Sequence, residues 1–134
     1  MAALDGVRVL DLTWSIAGPY CGQVLGDLGA DVIRVDHPGR GMSERLNLSP
    51  PGWEGEKFSP YFISTNRNKR SVTVNLTSDE GRQVFADLVK VSDIVVENFG
   101  HDAREKLVDE NWAWEINPRI IWGSLSMLGR TGPE

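Results

Sequence analysis

Short, dense apolar runs alternate along this chain with stretches whose apolar residues recur every three or four positions, and that alternation predicts an α/β fold. Val7, Val9, Leu10 and Leu12 make a near-continuous apolar run, as a strand buried on both faces of a parallel sheet requires. Pro19 suits the first turn of a helix, where its missing N–H removes no bond. Val24, Leu25 and Leu28 then fall on one helical face, and Gly29 stands where a helix C-cap is expected. Val32, Ile33 and Val35 supply a second strand. A right-handed crossover between these parallel strands opens the loop from Thr13 to Gly18 at the carboxyl edge of the sheet, where α/β proteins bind ligands.

The same alternation continues. Strands are predicted near 7–12, 31–35, 71–76, 93–97 and 120–125, forming a mostly parallel sheet. Thr77 and Glu80 have the spacing of a capping box for a helix over 78–90, with Val84, Phe85, Leu88 and Val89 as its buried face. Helical turns are expected near Ala103 to Leu107 and Asn111 to Glu115. The stretch from Asp36 to Arg70, rich in Pro and Gly, is too long for a plain connection and reads as a functional or mobile loop. A length of 134 residues fits one domain. No helix follows the fifth strand to return over the sheet, so the chain reads as a fragment whose uncovered surface is completed by further sequence or a partner subunit. The five tryptophans, 14, 53, 112, 114 and 122, fit an interface as well as a core.

A formal charge of −5 argues against general nucleic-acid binding, which needs broad phosphate neutralisation. The single Cys21 reads as a half-buried helix residue and not as a reactive thiol. With no apolar run of about 18 residues and no basic-then-apolar amino end, a soluble, cytoplasmic chain without a membrane partner is expected. Between the first strand and its helix, Thr13 to Gly18 lacks the G-x-G-x-x-G of a dinucleotide loop, although Asp36 occupies the place of a ribose-binding acid. The Walker pattern is absent, and His37 and His101 have no neighbours at metal-ligand spacing, so no metal site is expected. Asn66-Arg67-Asn68-Lys69-Arg70 is a concentrated basic run suited to a phosphorylated ligand or, more plainly, to a solvated loop. After the fourth strand, Asn98-Phe99-Gly100 offers an amide and a ring to a base at the ligand edge.

Taken together these segments resemble the amino-terminal portion of the class III CoA-transferases, a family that includes formyl-CoA and carnitine CoA-transferases and α-methylacyl-CoA racemases. The resemblance rests on LDGVRVLDLT, AGP at 17–19, LGDLGADVIRVD at 25–36, NRNKRSVTVNL at 66–76, DIVVENFG at 93–100, NPRIIWGSLS at 117–126 and GRTGP at 129–133. It implies a Rossmann-like large domain, of which 1–134 is the amino-terminal part, a smaller second domain from later sequence, and an interlocked homodimer. It also implies coenzyme A or acyl-CoA as substrate, with a carboxylic acid as the other substrate, and no prosthetic group.

Carried over position by position, Ser15 and Ile16 in the first loop, Val74 in the third strand, and Asn98 and Phe99 after the fourth are similar to the nucleotide-contacting residues of that family. His37 and Lys106 stand where relatives commonly carry Arg, and Lys is a weaker bidentate phosphate partner. Gly41-Met42 replaces the usual Gly-Asp, and Asp102 a customary glycine. The family's transfer nucleophile, an aspartate that carries CoA as a thioester, is expected beyond residue 134, as are the His and Asp of the racemases. Asp11, Asp27, Asp31 and Asp93 are accordingly read as structural or solvated. The long Asp36 to Tyr61 segment followed by NRNKRS favours the transferase branch. The racemase branch and a non-catalytic CoA- or nucleotide-binding module remain the alternatives.

Overall fold

Strands that are apolar on both faces need helices above and below, and the chain satisfies this with a doubly covered parallel sheet. The computed structural model describes residues 1–39, 60–100, 103, 107–127 and 129. Along the chain run β1 (Arg8–Asp11), α1 (Ala17–Asp27), β2 (Asp31–Asp36), α2 (Pro60–Thr65), β3 (Lys69–Thr73), α3 (Asp79–Lys90), β4 (Ile94–Glu97), α4 (Glu110–Ile116) and β5 (Ile121–Ser124). All described pairings are parallel, in the order β3-β2-β1-β4-β5, the order of the first five strands of a Rossmann sheet. The expected parallel α/β architecture is therefore present. The end of the expected long loop is helical, because α2 occupies 60–65, while 40–59 lie outside the described residues.

Two layers of core flank the sheet. Leu10, Leu12, Ile33, Val35 and Val95 pack with Phe85, Val89 and Ala113 of α3 and α4, where the Phe85 and Trp112 rings stack with centroids 5.9 Å apart. On the other face Val9, Val32 and Val96 meet Cys21 and Leu25 of α1. β3 starts two residues before the predicted strand, because Lys69 and Arg70 pair with Val32 and Ile33 of β2 while their long side chains reach carboxylates. Two details of α3 also differ from expectation. Ser78, not Thr77, is its N-cap and accepts from the Gly81 N–H, since Asn75 Oδ1 already accepts from both the Thr77 N–H (3.1 Å) and its hydroxyl (2.7 Å). Val84 is half exposed, leaving Phe85 and Val89 as the buried pair.

Of the predicted inner face of α1 only Leu25 meets the sheet. Val24 and Leu28 face outward with Ile16 and Tyr20, at the four-residue spacing of one helical row, while Gly18, Gly22 and Gln23 are buried. The helix approaches the sheet on Gly18, Gly22 and Gly26. A Cβ at Gly18 would collide with the Thr13 side chain, one at Gly22 with the Asp11 carboxylate, and one at Gly26 would lie 3.0 Å from the Asn68 carbonyl oxygen. Replacing a helical Gly by Ala ordinarily adds about 1 kcal/mol of stability. Here the clash should outweigh it, since overpacking costs about 1–3 kcal/mol and displaces a buried ion pair as well. Gly22→Ala is expected to lower the unfolding free energy measured by urea titration by about 1–2 kcal/mol net; an unchanged or raised value would show that α1 can lift off the sheet at little cost.

Candidate ligand site at the switch point

Strand order reverses at the centre of this parallel sheet. From β1 the order runs through β2 to β3 on one side and through β4 to β5 on the other, so the loops after β1 and β4 diverge and leave a crevice at their carboxyl ends. Both strands end in a buried carboxylate, Asp11 at 0% and Glu97 at 1% exposure. Each carboxylate accepts the backbone N–H two residues onward: Asp11 Oδ1 from Thr13 (2.9 Å) and Glu97 Oε2 from Phe99 (2.6 Å). Asp11 Oδ1 also accepts from the Thr13 hydroxyl at 2.5 Å, and Glu97 Oε1 from the Ser124 hydroxyl of β5. The carboxylates thus set the direction in which each loop leaves the sheet.

Beneath the β1 loop lies a polar network. Lys69 Nζ donates to Asp11 Oδ2 (2.8 Å), to the Pro19 carbonyl in the first turn of α1 (2.7 Å) and to Asn66 Oδ1 (3.0 Å). Both members of the pair are closed to solvent, with side-chain exposures of 1% and 0%. Burial pushes the Lys69 amine below its usual range, with Asp11 acting in the opposite sense. Asn66 Oδ1 also accepts from Arg34 (2.8 Å), whose guanidinium forks onto Asp36 and lies 5.2 Å from the Phe62 ring centroid. Burial, then the Asp11 charge, pushes the Cys21 thiol up, which agrees with an inert helix residue.

A cavity of about 440 Å³ opens at the carboxyl edge. Leu12, Thr13 and Trp14 line it from the β1 loop, Val35, Asp36 and His37 from the end of β2, Val74, Leu76 and Thr77 from beyond β3, and Phe99 and Gly100 from beyond β4. Of the residues expected to contact a nucleotide, this brings together His37, Val74 and Phe99. Ser15 and Ile16 do not line it: Ser15 adopts a left-handed backbone with φ of 67°, and Ile16 is the N-cap of α1, 56% exposed. Asn98 also lies off the cavity, its amide engaged with the Trp14 backbone. Lys106, Gly41, Met42 and Asp102 lie outside the described residues. Trp14 was missed, because an aromatic in a loop carries no periodicity to mark it.

Of the cations in the basic run at 66–70 only the Lys69 side chain is buried, while Arg67 and Arg70 remain exposed. Arg67 and Asn68 both bond Asp27 at the end of α1, Arg70 and Arg8 share Asp31 at the start of β2, and Lys69 holds Asp11. These hydrogen bonds hold the Asp27 and Asp31 carboxyls below the usual carboxylate range. Arg67 and Arg70 lie near the amino edge of the sheet, outside the cavity lining and exposed, as the plainer reading of a solvated loop expects. Among the described residues no cluster of His, Cys, Asp and Glu is placed to hold a metal, and no helix is long and apolar enough to cross a membrane.

Residues 4–134 match the family described as CoA-transferase family III. The chain belongs to CoA-transferase family III. It is 44% identical over 137 residues to an acyl-CoA transferase of Fusarium pseudograminearum, covering 98% of this chain and 30% of that protein. It is likewise 44% identical to a succinyl-CoA:mesaconate CoA-transferase of Haloarcula marismortui, covering 98% of this chain and 34% of that one. The crystal structure of a CAIB/BAIF family protein from Brucella suis superimposes with a TM-score of 0.87 at 40% identity, over 98% of this chain and 35% of the other. The chain therefore spans about a third of the length of these relatives.

In this CoA-transferase segment Asp11, Asp27, Asp31, Asp36, Asp93 and Glu97 all accept hydrogen bonds from protein groups, so each has a structural partner. Removing one member of a buried pair strands the other charge, at a cost of about 3–5 kcal/mol. Lys69→Met is expected to destabilise the fold by about that amount in urea titrations, and Lys69→Met combined with Asp11→Asn should recover part of it. A Lys69→Met protein within about 1 kcal/mol of wild type would show the pair to be unimportant.

Proposed function

We propose that this chain supplies the nucleotide end of the CoA site in an enzyme that moves CoA between an acyl-CoA and a carboxylic acid. The observation that carries the proposal is the switch-point cavity of about 440 Å³, which brings an apolar floor, two aromatic side chains and the polar Asp36, His37 and Thr77 to one edge. That mixture suits a flat base with a polar sugar phosphate attached. In this reading His37, Val74 and Phe99 contact the nucleotide, Ser15 and Ile16 border its entrance, and Lys106 adds a cation. Residues 1–134 form the amino-terminal part of a Rossmann-like domain, and a second, smaller domain and the rest of the large domain complete a cytoplasmic homodimer.

The chemistry follows from the weakness of a carboxylate as a nucleophile unless it is positioned against a thioester. An aspartate beyond residue 134 attacks the acyl-CoA carbonyl and expels CoA thiolate, leaving a mixed anhydride. The thiolate then attacks the aspartyl carbonyl, releasing the donor acid and forming an aspartyl-CoA thioester. The acceptor carboxylate reverses these steps and leaves as the new acyl-CoA, restoring the aspartate. Binding of the remote nucleotide holds the thioester in place through each exchange. The transferase reading is favoured over a racemase because the Fusarium and Haloarcula relatives are both named as transferases.

Mass spectrometry of thioester exchange tests the reaction, beginning with succinyl-CoA and mesaconate, the pair in the name of the Haloarcula relative. The full-length protein should exchange CoA. Residues 1–134 alone should not, and turnover by them above a no-protein blank would show the nucleophile to be misplaced. Calorimetry tests the cavity: Phe99→Ala is expected to weaken CoA binding by about 1–3 kcal/mol if the ring stacks on the base. Unchanged affinity in a folded variant would exclude that contact.

A further inference from the structure

Three hydrogen bonds join Trp14 to Asn98. The Asn98 Oδ1 accepts from the Trp14 backbone N–H (2.9 Å), the Asn98 Nδ2 donates to the Trp14 carbonyl (2.7 Å), and the indole Nε1 donates to the Asn98 carbonyl (3.2 Å). The carboxamide so pairs with both backbone groups of a single residue, as a neighbouring strand would. It splices the two loops of the switch point across 84 positions of sequence. Asn98 is not among the residues lining the cavity, whereas Trp14 is.

The indole is consequently fixed at two levels. Its backbone is clamped, and its ring N–H has a protein acceptor, which restrains rotation of the ring. It nevertheless remains 45% exposed at the cavity, an unusual position for so large a side chain. Immediately after it Ser15 takes the left-handed conformation, φ 67°, which is costly for a residue with a side chain and is upheld by the fixed geometry on either side. A locked, half-exposed aromatic at a cavity whose other loop contributes Phe99 is a preorganised surface for a flat ring.

We propose that Trp14 is a specificity-determining residue of the cavity and that Asn98 is the positioning residue that holds it, the two together selecting a flat heteroaromatic ring such as the adenine of CoA. This rests on the reading of the cavity as the nucleotide end of a CoA site. It assigns Asn98 a role different from direct contact with the base: its effect on binding passes through Trp14.

The test is calorimetry on the full-length protein with two probes, CoA and adenosine 3′,5′-bisphosphate. Wild type should bind both. Trp14→Ala should weaken both about tenfold or more, the size of a lost base-stacking contact, while Trp14→Phe retains most of the affinity. Asn98→Ala should cause a similar loss in the wild-type background but less than about twofold in the Trp14→Ala background, because coupled residues are not additive. Trp14→Ala binding both probes as wild type does would overturn the proposal and leave the cavity reading intact. Wild type that binds neither probe would overturn both. Additive losses in the double variant would mean that Asn98 touches the ligand itself, overturning its positioning role; if Asn98→Ala does not fold, the comparison of Trp14→Ala with Trp14→Phe still decides the role of Trp14.

Discussion

The buried pair between Asp11 and Lys69 is the contact on which the candidate site depends. It joins residues 58 positions apart and brings three elements to one point, the end of β1, the start of β3 and, through the Pro19 carbonyl, the first turn of α1. A bare carboxylate and a bare ammonium are each costly to remove from water, so the arrangement is stable only because nearly every remaining valence is occupied. Thr13 takes the second oxygen of Asp11, and Asn66 and Pro19 take the other protons of Lys69. The pair also dictates the composition of α1. Its volume leaves no room for a side chain at position 22, and the helix meets the sheet through glycine.

The consequences reach the ligand edge by direct contact. With Thr13 bound to Asp11 and Phe99 N bound to Glu97, the loops leaving β1 and β4 start from fixed points, and Asn98 then ties one loop to the other. The crevice itself arises from topology, because neighbouring strands whose connections run in opposite directions cannot close it. Buried acids at the strand ends and an amide between the loops convert that generic opening into a cavity of definite shape. Membership of CoA-transferase family III gives the cavity its context. The exchange we propose keeps CoA in place while carboxylates attack thioesters and the thiolate attacks anhydrides, and a rigid cavity proposed to hold the nucleotide meets that need.

The two faces of the sheet are stabilised differently. Toward α3 and α4 the core is aliphatic and aromatic, including the stacked Phe85 and Trp112 rings. Toward α1 a small apolar cluster around Val9 and Val32 continues into the layer of Asp11, Arg34, Asn66 and Lys69. Non-directional packing tolerates substitution of similar volume. A network in which each group satisfies another does not, since one removed partner leaves a desolvated polar group behind.

The alternation of strands and helices, the parallel class of the sheet and the family are all readable from the sequence, because each is written in local periodicity or in motifs that keep their order along the chain. His37, Val74 and Phe99, carried over from the family resemblance as candidate nucleotide contacts, meet at one cavity. Which cation of the basic run faces inward was settled only by the tertiary structure. In NRNKR, Arg67 and Arg70 stay on the surface beside Asp27 and Asp31, whereas Lys69 is buried against Asp11, a partner 58 positions away. The tertiary structure also decided that the glycine row of α1, and not Val24 and Leu28, meets the sheet, because a helix with a buried ion pair beneath it gains more from close approach than from apolar burial. Trp14 and the Asn98 amide belong to the same category: a contact between two loops leaves no period in either segment, and only the reversal of strand order at the centre of the sheet brings them together.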